Sequence, residues 1–277
     1  MQDDVSRRSF LQQSAAVSAL GFGFEDKILL ARAKDAPKDQ APPIAPSTMP
    51  MGKIKNLQIS RLICGGNLIS GHAHSRDLIY VSDLLRTYFT DDKVMETFAQ
   101  CEQNGINTAI LRLDERTLRI LQIYRKEHSG RMQWIAQIKP TKNDLFSAAD
   151  KAIENGAAGV YIQGETGDAF LEQGLVEQLG QVVEHIKEQK IVSGIGAHKI
   201  EVIMESEKAG LQPDFYMKTF NSKNYWSAGP TERHDSVWEE TPEQTLAFMK
   251  TVTKPWIAFK VLGAGAIEPK EAFPYAF

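Results

Sequence analysis

Cysteine is nearly missing from this chain: Cys64 and Cys101 are the only two in 277 residues. Neither has metal-ligand spacing, which argues against a cysteine-built metal module, and both fall in apolar patterns that read as buried thiols. A surplus of basic charge is lacking as well. With 32 Lys and Arg against 35 Asp and Glu the formal net charge is -3, and without a positive stripe the chain is not expected to bind nucleic acid. No apolar run reaches the roughly 20 residues needed to span a bilayer, so no stable membrane insertion is expected. A G-x-G-x-x-G turn opening a helix is also absent, which disfavours an open dinucleotide-binding sheet. Proline is scarce except in one place. Five of the 12 prolines (Pro37, Pro42, Pro43, Pro46 and Pro50) crowd into residues 36–50, where they sustain neither a helix nor a ladder and predict an extended tether.

What is present begins at Ser6-Arg7-Arg8-Ser9-Phe10-Leu11, followed by the small apolar stretch 15–22. Paired arginines before such a stretch predict a twin-arginine export signal, and Ala31-Arg32-Ala33 has the small-x-small form of a cleavage site. The expected organisation is therefore a signal peptide at 1–33, a Pro-rich linker at 34–50 and a barrel domain at 51–277. The expected location is periplasmic or secreted, the folded protein being carried by the twin-arginine export machinery.

From Met51 onward apolar strand-like runs alternate with amphipathic helix-like runs, the pattern of parallel strands joined by helical crossovers. Strands are expected at 59–64, 106–113, 133–139, 159–163, 191–198, 214–220 and 256–262. Helices are expected at 92–103, 115–126, 144–155, 175–190, 199–209, 242–251 and 269–277. Asn104-Gly105, Asn155-Gly156 and Gly210 sit where a left-handed residue stops a helix cheaply. The fold class this predicts is α/β, a (β/α)8 TIM barrel lacking its final strand, with the open edge left for the N-terminal segment or a partner to cover. Long connections, 65–90 and 221–241, fall at carboxyl ends of strands, where barrels place substrate contacts.

Two segments carry a resemblance. Ile54-Lys55-Asn56-Leu57-Gln58-Ile59-Ser60-Arg61-Leu62-Ile63-Cys64-Gly65-Gly66-Asn67 resembles the opening hairpin, Ile-Ser-Arg-Leu strand and Gly-rich turn of the aldo/keto reductases, and Gly105-Ile106-Asn107-Thr108-Ala109 is similar to that family's second strand. The resemblance implies a TIM barrel, NADP as cofactor and a site of aspartate, tyrosine, lysine and histidine. It puts Lys139 at the lysine position, Gln163 at the histidine position, and Ile110 or Asn107, depending on the alignment, at the aspartate position. No tyrosine lies within ten residues of Asn107, so the family's usual proton relay is incomplete here.

Alternation along the strands points His198 inward at the end of its strand, with Lys139, Gln163, Lys218 and Lys260 at the matching ends of others. Lys139, His198 and Lys260 are the expected acid/base or electrophilic groups, a lysine acting as base or Schiff-base nucleophile where neighbours and burial lower its pKa. Asn67, His74, Gln163, Lys218, Tyr225 and Trp226 are the expected substrate contacts, the two aromatics suiting a sugar ring. Gly263-Ala264-Gly265 reads either as a phosphate cradle or as a plain turn. His72-Ala73-His74 lies too far beyond its strand to begin a metal site, so no metal is expected. The functional expectation is an exported aldo/keto reductase-like enzyme acting on a small carbonyl- or hydroxyl-bearing molecule, read as a sugar derivative. The alternatives are a non-redox lyase, isomerase or aldolase, and a carbohydrate-binding barrel without turnover.

Overall fold

The computed structural model describes residues 49–72, 80–222 and 239–277. The expected signal peptide and most of the linker lie outside these residues, as do His74, Tyr225 and Trp226.

An antiparallel hairpin, β1 (Met51–Ile54) and β2 (Leu57–Ser60), opens the domain, with Lys55 at its tip in the left-handed region at φ 49°. Seven parallel strands follow in strict chain order: β3 (Cys64–Gly65), β4 (Thr108–Arg112), β5 (Gln133–Ile138), β6 (Gly159–Ile162), β7 (Val192–Ala197), β8 (Phe215–Thr219) and β9 (Trp256–Phe259). Crossover helices join them: α1 (Val81–Tyr88) and α2 (Asp91–Gln103), α3 (Glu115–Glu127), α4 (Ser147–Glu154), α5 (Gly164–Glu172) and α6 (Val176–Glu188), α7 (Ile200–Lys208) and α8 (Pro242–Met249). A last helix, α9 (Pro269–Ala276), follows β9. The described residues thus form a TIM-barrel-like sheet one parallel strand short of eight.

The expected first strand differs from the observed one. Ser60 ends β2 by donating its hydroxyl to the Leu62 carbonyl at 2.6 Å, and its N–H donates to Asn107 Oδ1 at 2.9 Å. The chain bends at that polar anchor, so β3 keeps only the two residues that pair with Ala109 and Ile110. Two helices that the patterns did not predict are α1, inside the connection expected at 65–90, and α5, between the strand expected to end at 163 and the helix expected to begin at 175.

Strand alternation splits the apolar side chains into two cores. Ala109, Leu111, Trp134, Ala136, Val160, Ile162, Ile195 and Tyr216 face the helices. Ile110, Ile135, Tyr161, Val192, Phe215 and Met217 face the barrel interior, closed at one end by Ile54 and Ile59 of the hairpin. Glycines make room inside β7. A Cβ at Gly194 would lie 2.4 Å from the Phe215 ring, and one at Gly196 would lie 2.5 Å from the Ile162 carbonyl oxygen and 3.1 Å from the Tyr161 ring.

Candidate functional site

His198 follows β7 on the interior parity of Gly194 and Gly196, and its ring centroid lies 5.5 Å from that of Phe259, an interior residue of β9. Its Nδ1–H donates to Asp168 Oδ2 at 2.7 Å. Asp168 is 8% exposed and comes from α5, so the carboxylate is brought in from the helix that caps the end of β6. The other oxygen, Oδ1, accepts the backbone N–H of His198 at 3.0 Å and of Lys199 at 3.1 Å. Three donors fix the carboxylate, and the carboxylate fixes the imidazole tautomer with hydrogen on Nδ1. Nε2 then carries the lone pair, and no hydrogen-bond partner holds it among the described residues. Burial pushes the imidazole pKa down, Asp168 opposes that push, and the charges of Lys260 and Lys218 add to it. The ring is thereby kept neutral, a base aimed from the end of β7.

Glycine makes this contact sterically available. A Cβ on Gly167 would sit 2.3 Å from the Gly196 carbonyl oxygen, and one on Gly164 would sit 3.2 Å from His198 Cε1. Helix α5 therefore lies directly on the β7 backbone, close enough for the next residue, Asp168, to reach His198.

The other expected residues are placed as follows. Lys139 leaves the end of β5 and pairs with Glu165 Oε2 at 3.1 Å in an exposed position, where it holds the Glu165 carboxyl below its usual range. Gln163 Oε1 accepts the Thr166 hydroxyl at 3.4 Å at the head of α5. Lys260 is half-buried just past β9, in the left-handed region at φ 59°, with Nζ 5.8 Å from the Phe259 ring centroid and its charge felt at His198. Asn67 is exposed, and its carbonyl accepts the His72 N–H at 2.8 Å.

Lys218 does not join this group. It shares the parity of Tyr216, which packs toward the helices, and its side chain is fully buried. Nζ donates to Glu239 Oε2 at 2.6 Å, the His198 carbonyl at 2.6 Å and the Thr219 carbonyl at 2.9 Å. All three ammonium hydrogens are used, so Lys218 serves as an internal tie beneath the loop that carries His198. Burial draws its pKa down against the pull of Glu239.

Sequence reasoning missed three residues. Asp168 gave no signal beyond an acid on the apolar face of a glycine-flanked run. Thr219 and Asn221 are 0% and 1% exposed, and Thr219 Oγ1 and Asn221 Oδ1 have no hydrogen-bond partner among the described residues. Leaving such atoms without a partner costs ~1–3 kcal/mol each, so they stand out against the other buried polar groups of the described residues. Both lie at the carboxyl end of β8, and Asn221 Nδ2 donates to the Lys260 carbonyl at 3.2 Å.

A rim of cationic groups stands on the β4 side. Arg112, interior on β4, contacts His72 Nε2 and lies 3.3 Å from Asp114, while burial and then the charges of Arg112, Lys139 and Arg86 keep the His72 imidazole below its ordinary pKa. Two cavities lie elsewhere: one of about 130 Å³ against Ile69, Phe98, Leu111 and Arg116, and one of about 480 Å³ between α2 and α3 beside Glu102, Tyr124 and His128. Neither contains His198.

The residues do not fit the proton relay of a nicotinamide reductase. Ile110 is buried in the interior core, and Asn107 is spent on the hairpin, its Oδ1 accepting from Ser60 and its Nδ2 donating to the Gln58 carbonyl. The turn at 263–265 commits two of its amides to itself, Gly263 N–H to the Lys260 carbonyl and Gly265 N–H to the Leu262 carbonyl, both at 2.9 Å. Among the described residues no group of three or more His, Cys, Asp or Glu is arranged to hold a metal ion.

No family model matches the chain, and no curated protein does. The solved structure of a candidate aldo-keto reductase from Pseudomonas aeruginosa is similar over 78% of this chain and 79% of its own, with a TM-score of 0.52 and 13% identity. At that identity the likeness concerns architecture alone, and this chain carries a TIM-barrel-like fold.

Proposed function

We propose that this protein is an exported barrel enzyme that moves a proton on a small carbonyl- or hydroxyl-bearing molecule, a sugar derivative being the class that best suits the polar rim. The observation that carries the reading is the Asp168–His198 pair, a neutral imidazole held in one tautomer with its free nitrogen toward the interior parity of β7 and β9. His198 Nε2 takes a proton from a carbon or hydroxyl of the substrate. Asp168 stabilises the imidazolium that forms, and Lys260, whose charge already reaches His198, offsets negative charge building on the substrate oxygen. Thr219 Oγ1 and Asn221 Oδ1 supply hydrogen bonds to substrate hydroxyls, and Lys139 and Gln163 border the same rim.

The reading is tested by incubating the protein in D2O with a panel of keto and hydroxy sugars and following deuterium incorporation by NMR. Exchange with at least one sugar is expected, falling roughly 100-fold or more in His198→Gln. Exchange that persists in the variant would assign the proton transfer to another group, and its absence across the panel would leave a binding barrel; either would sink the assignment.

A redox version rests on the fold alone: NADP would be acquired in the cell before the folded protein is exported. Quenching of protein fluorescence by NADPH decides it, and no saturation at millimolar cofactor removes it. Borohydride trapping separates a Schiff-base route, which would label Lys139 or Lys260, from proton transfer by His198, which labels neither. Export is proposed from Arg7-Arg8, and Arg7→Lys with Arg8→Lys is expected to retain the protein inside the cell, as seen by fractionation; unchanged export would refute the route.

A further inference from the structure

Arg112 ends β4 on the parity of Ile110, which packs into the barrel interior, and it is half-buried. Its guanidinium is fixed from two sides. Nε lies 3.3 Å from Asp114 Oδ2, and Asp114 is itself held as the cap of α3, its Oδ1 accepting the Thr117 N–H at 2.8 Å. Nη1 donates to His72 Nε2 in the first rim loop. Nη2 has no hydrogen-bond partner among the described residues. A guanidinium oriented in this way, with one edge uncommitted, suits an oxyanion, because its parallel N–H groups match two oxygens of a carboxylate or a phosphate.

Neighbouring side chains add positive charge at the same place. On β5, Gln137 is the register partner of Arg112 and Lys139 stands two residues further along, so the Cα atoms of Arg112 and Lys139 are about 8 Å apart. Two long side chains meet one ligand group across such a span. Arg86 comes from α1: a Cβ on Gly71 would lie 2.6 Å from Arg86 Cγ, which puts the arginine stem against the residue before His72. Lys139 and Arg86 have carboxylate partners, Glu165 and Asp83, but these pairs are exposed and contribute little, so an oxyanion can replace them. His72 is kept neutral by burial and by the surrounding cations, and it brings no competing negative charge.

We propose that Arg112, with Lys139 and Arg86 beside it, binds an oxyanion of the substrate, a carboxylate or a phosphate, so that the molecule handled by His198 is an anionic sugar derivative. This inference rests on the proton-transfer reading for the other end of the substrate. Glu165 links the two walls, pairing with Lys139 on the β5 side while its carboxyl responds to the charge of His198 on the β7 side. An anionic group held at the end of β4 leaves the rest of a small molecule in the mouth that His198 faces.

The test uses the full chain and two readouts. In the first, the His72 ring resonances, identified by their loss in His72→Asn, are followed by NMR while inorganic phosphate or sodium acetate is added, with sodium chloride at matched ionic strength as the control. Phosphate, acetate or both should saturate the protein at millimolar concentration and raise the His72 titration midpoint by about half a pH unit or more, because a bound negative charge offsets the cations around the ring. Saturation by one of them alone names phosphate or carboxylate as the group. Arg112→Gln should weaken binding roughly 10-fold or more, and Arg112→Lys, which keeps the charge without the fork, should fall between. A response equal to that of chloride, or one unchanged in Arg112→Gln, would overturn the proposal, and the wild-type comparison holds whether or not the variants fold. In the second readout, deuterium exchange is compared between a hexulose and its 6-phosphate and between an aldose and its uronic acid. The charged member of at least one pair should exchange about 10-fold faster or more in kcat/KM, a preference that Arg112→Gln removes by raising KM. Exchange that depends on His198 but shows no such preference would overturn the anion site and leave the proton-transfer reading standing. Saturable anion binding that needs Arg112, with no sugar exchanged, would support the anion site and sink the proton-transfer reading.

Discussion

At the scale of single residues, the chemistry turns on how one carboxylate sets one imidazole. His198 has its protonation disfavoured chiefly by burial, with Asp168 working the other way. A histidine whose folded pKa lies below the unfolded value of about 6.5 binds fewer protons when folded, so its share of stability is intact above that value and is lost as the pH falls through the folded pKa. The same direction governs catalysis by the neutral base: the acid limb of kcat/KM is expected below pH 6.5. Asp168→Asn removes the main group that favours the imidazolium, so the limb should move further down while KM changes little. A limb that stays put in this variant, measured across pH 4–8 together with the histidine NMR titration, would show that Asp168 only packs. The sequence marked His198 through alternation on β7, but Asp168 stayed hidden because the partner of a strand-end histidine is set by how a helix docks on the next strand.

At the scale of elements, that docking depends on glycine. Helix α5 runs through Gly164-Glu165-Thr166-Gly167-Asp168, and low helix propensity there masked it in the sequence pattern. The structure explains the glycines as close-approach residues, with a Gly167 Cβ landing 2.3 Å from the Gly196 carbonyl oxygen. Because that neighbour is backbone, it cannot rotate aside, and α5 itself must shift. Gly167→Ala is expected to destabilise by roughly 1–3 kcal/mol in urea unfolding and to disturb the His198 titration, since Asp168 moves with the helix. Gly65→Ala, where a Cβ meets nothing within 4 Å, should stay within about 0.5 kcal/mol of wild type. Equal effects at both positions would show that helix seating is not what the glycine protects. Elements with strong periodicity and ordinary caps were legible: α3 starts at Asp114, whose side chain accepts the Thr117 N–H at 2.8 Å, and helix ends at Gly105, Gly156 and Gly210 all adopt positive φ as their sequence suggested.

At the scale of the whole molecule, the order of seven parallel strands was readable because each apolar run is bounded by helix caps and glycine stops. The inside-or-outside assignment of a lysine at a strand end was not, since one residue of register changes the answer. Lys218 is the case that matters. Its outward parity buries an ammonium among the Glu239 carboxylate, the His198 carbonyl and the Thr219 carbonyl, so one side chain ties β8, the loop that holds the imidazole, and the segment leading into α8. Glu239 is in turn held by Thr241 N–H and the Thr245 hydroxyl, each at 3.1 Å. With side-chain exposures of 0% and 2%, neither partner has water to replace the other. Lys218→Met should therefore cost about 3–5 kcal/mol, because it strands a buried carboxylate. Adding Glu239→Gln removes that charge while keeping an acceptor for Thr241 and Thr245, so the double variant is expected to recover more than half of the loss in denaturant melts. If the double variant is as unstable as the sum of the single ones, the two charges do not interact across the barrel wall, and the loop bearing His198 must be held in place by the Asp168 contacts alone.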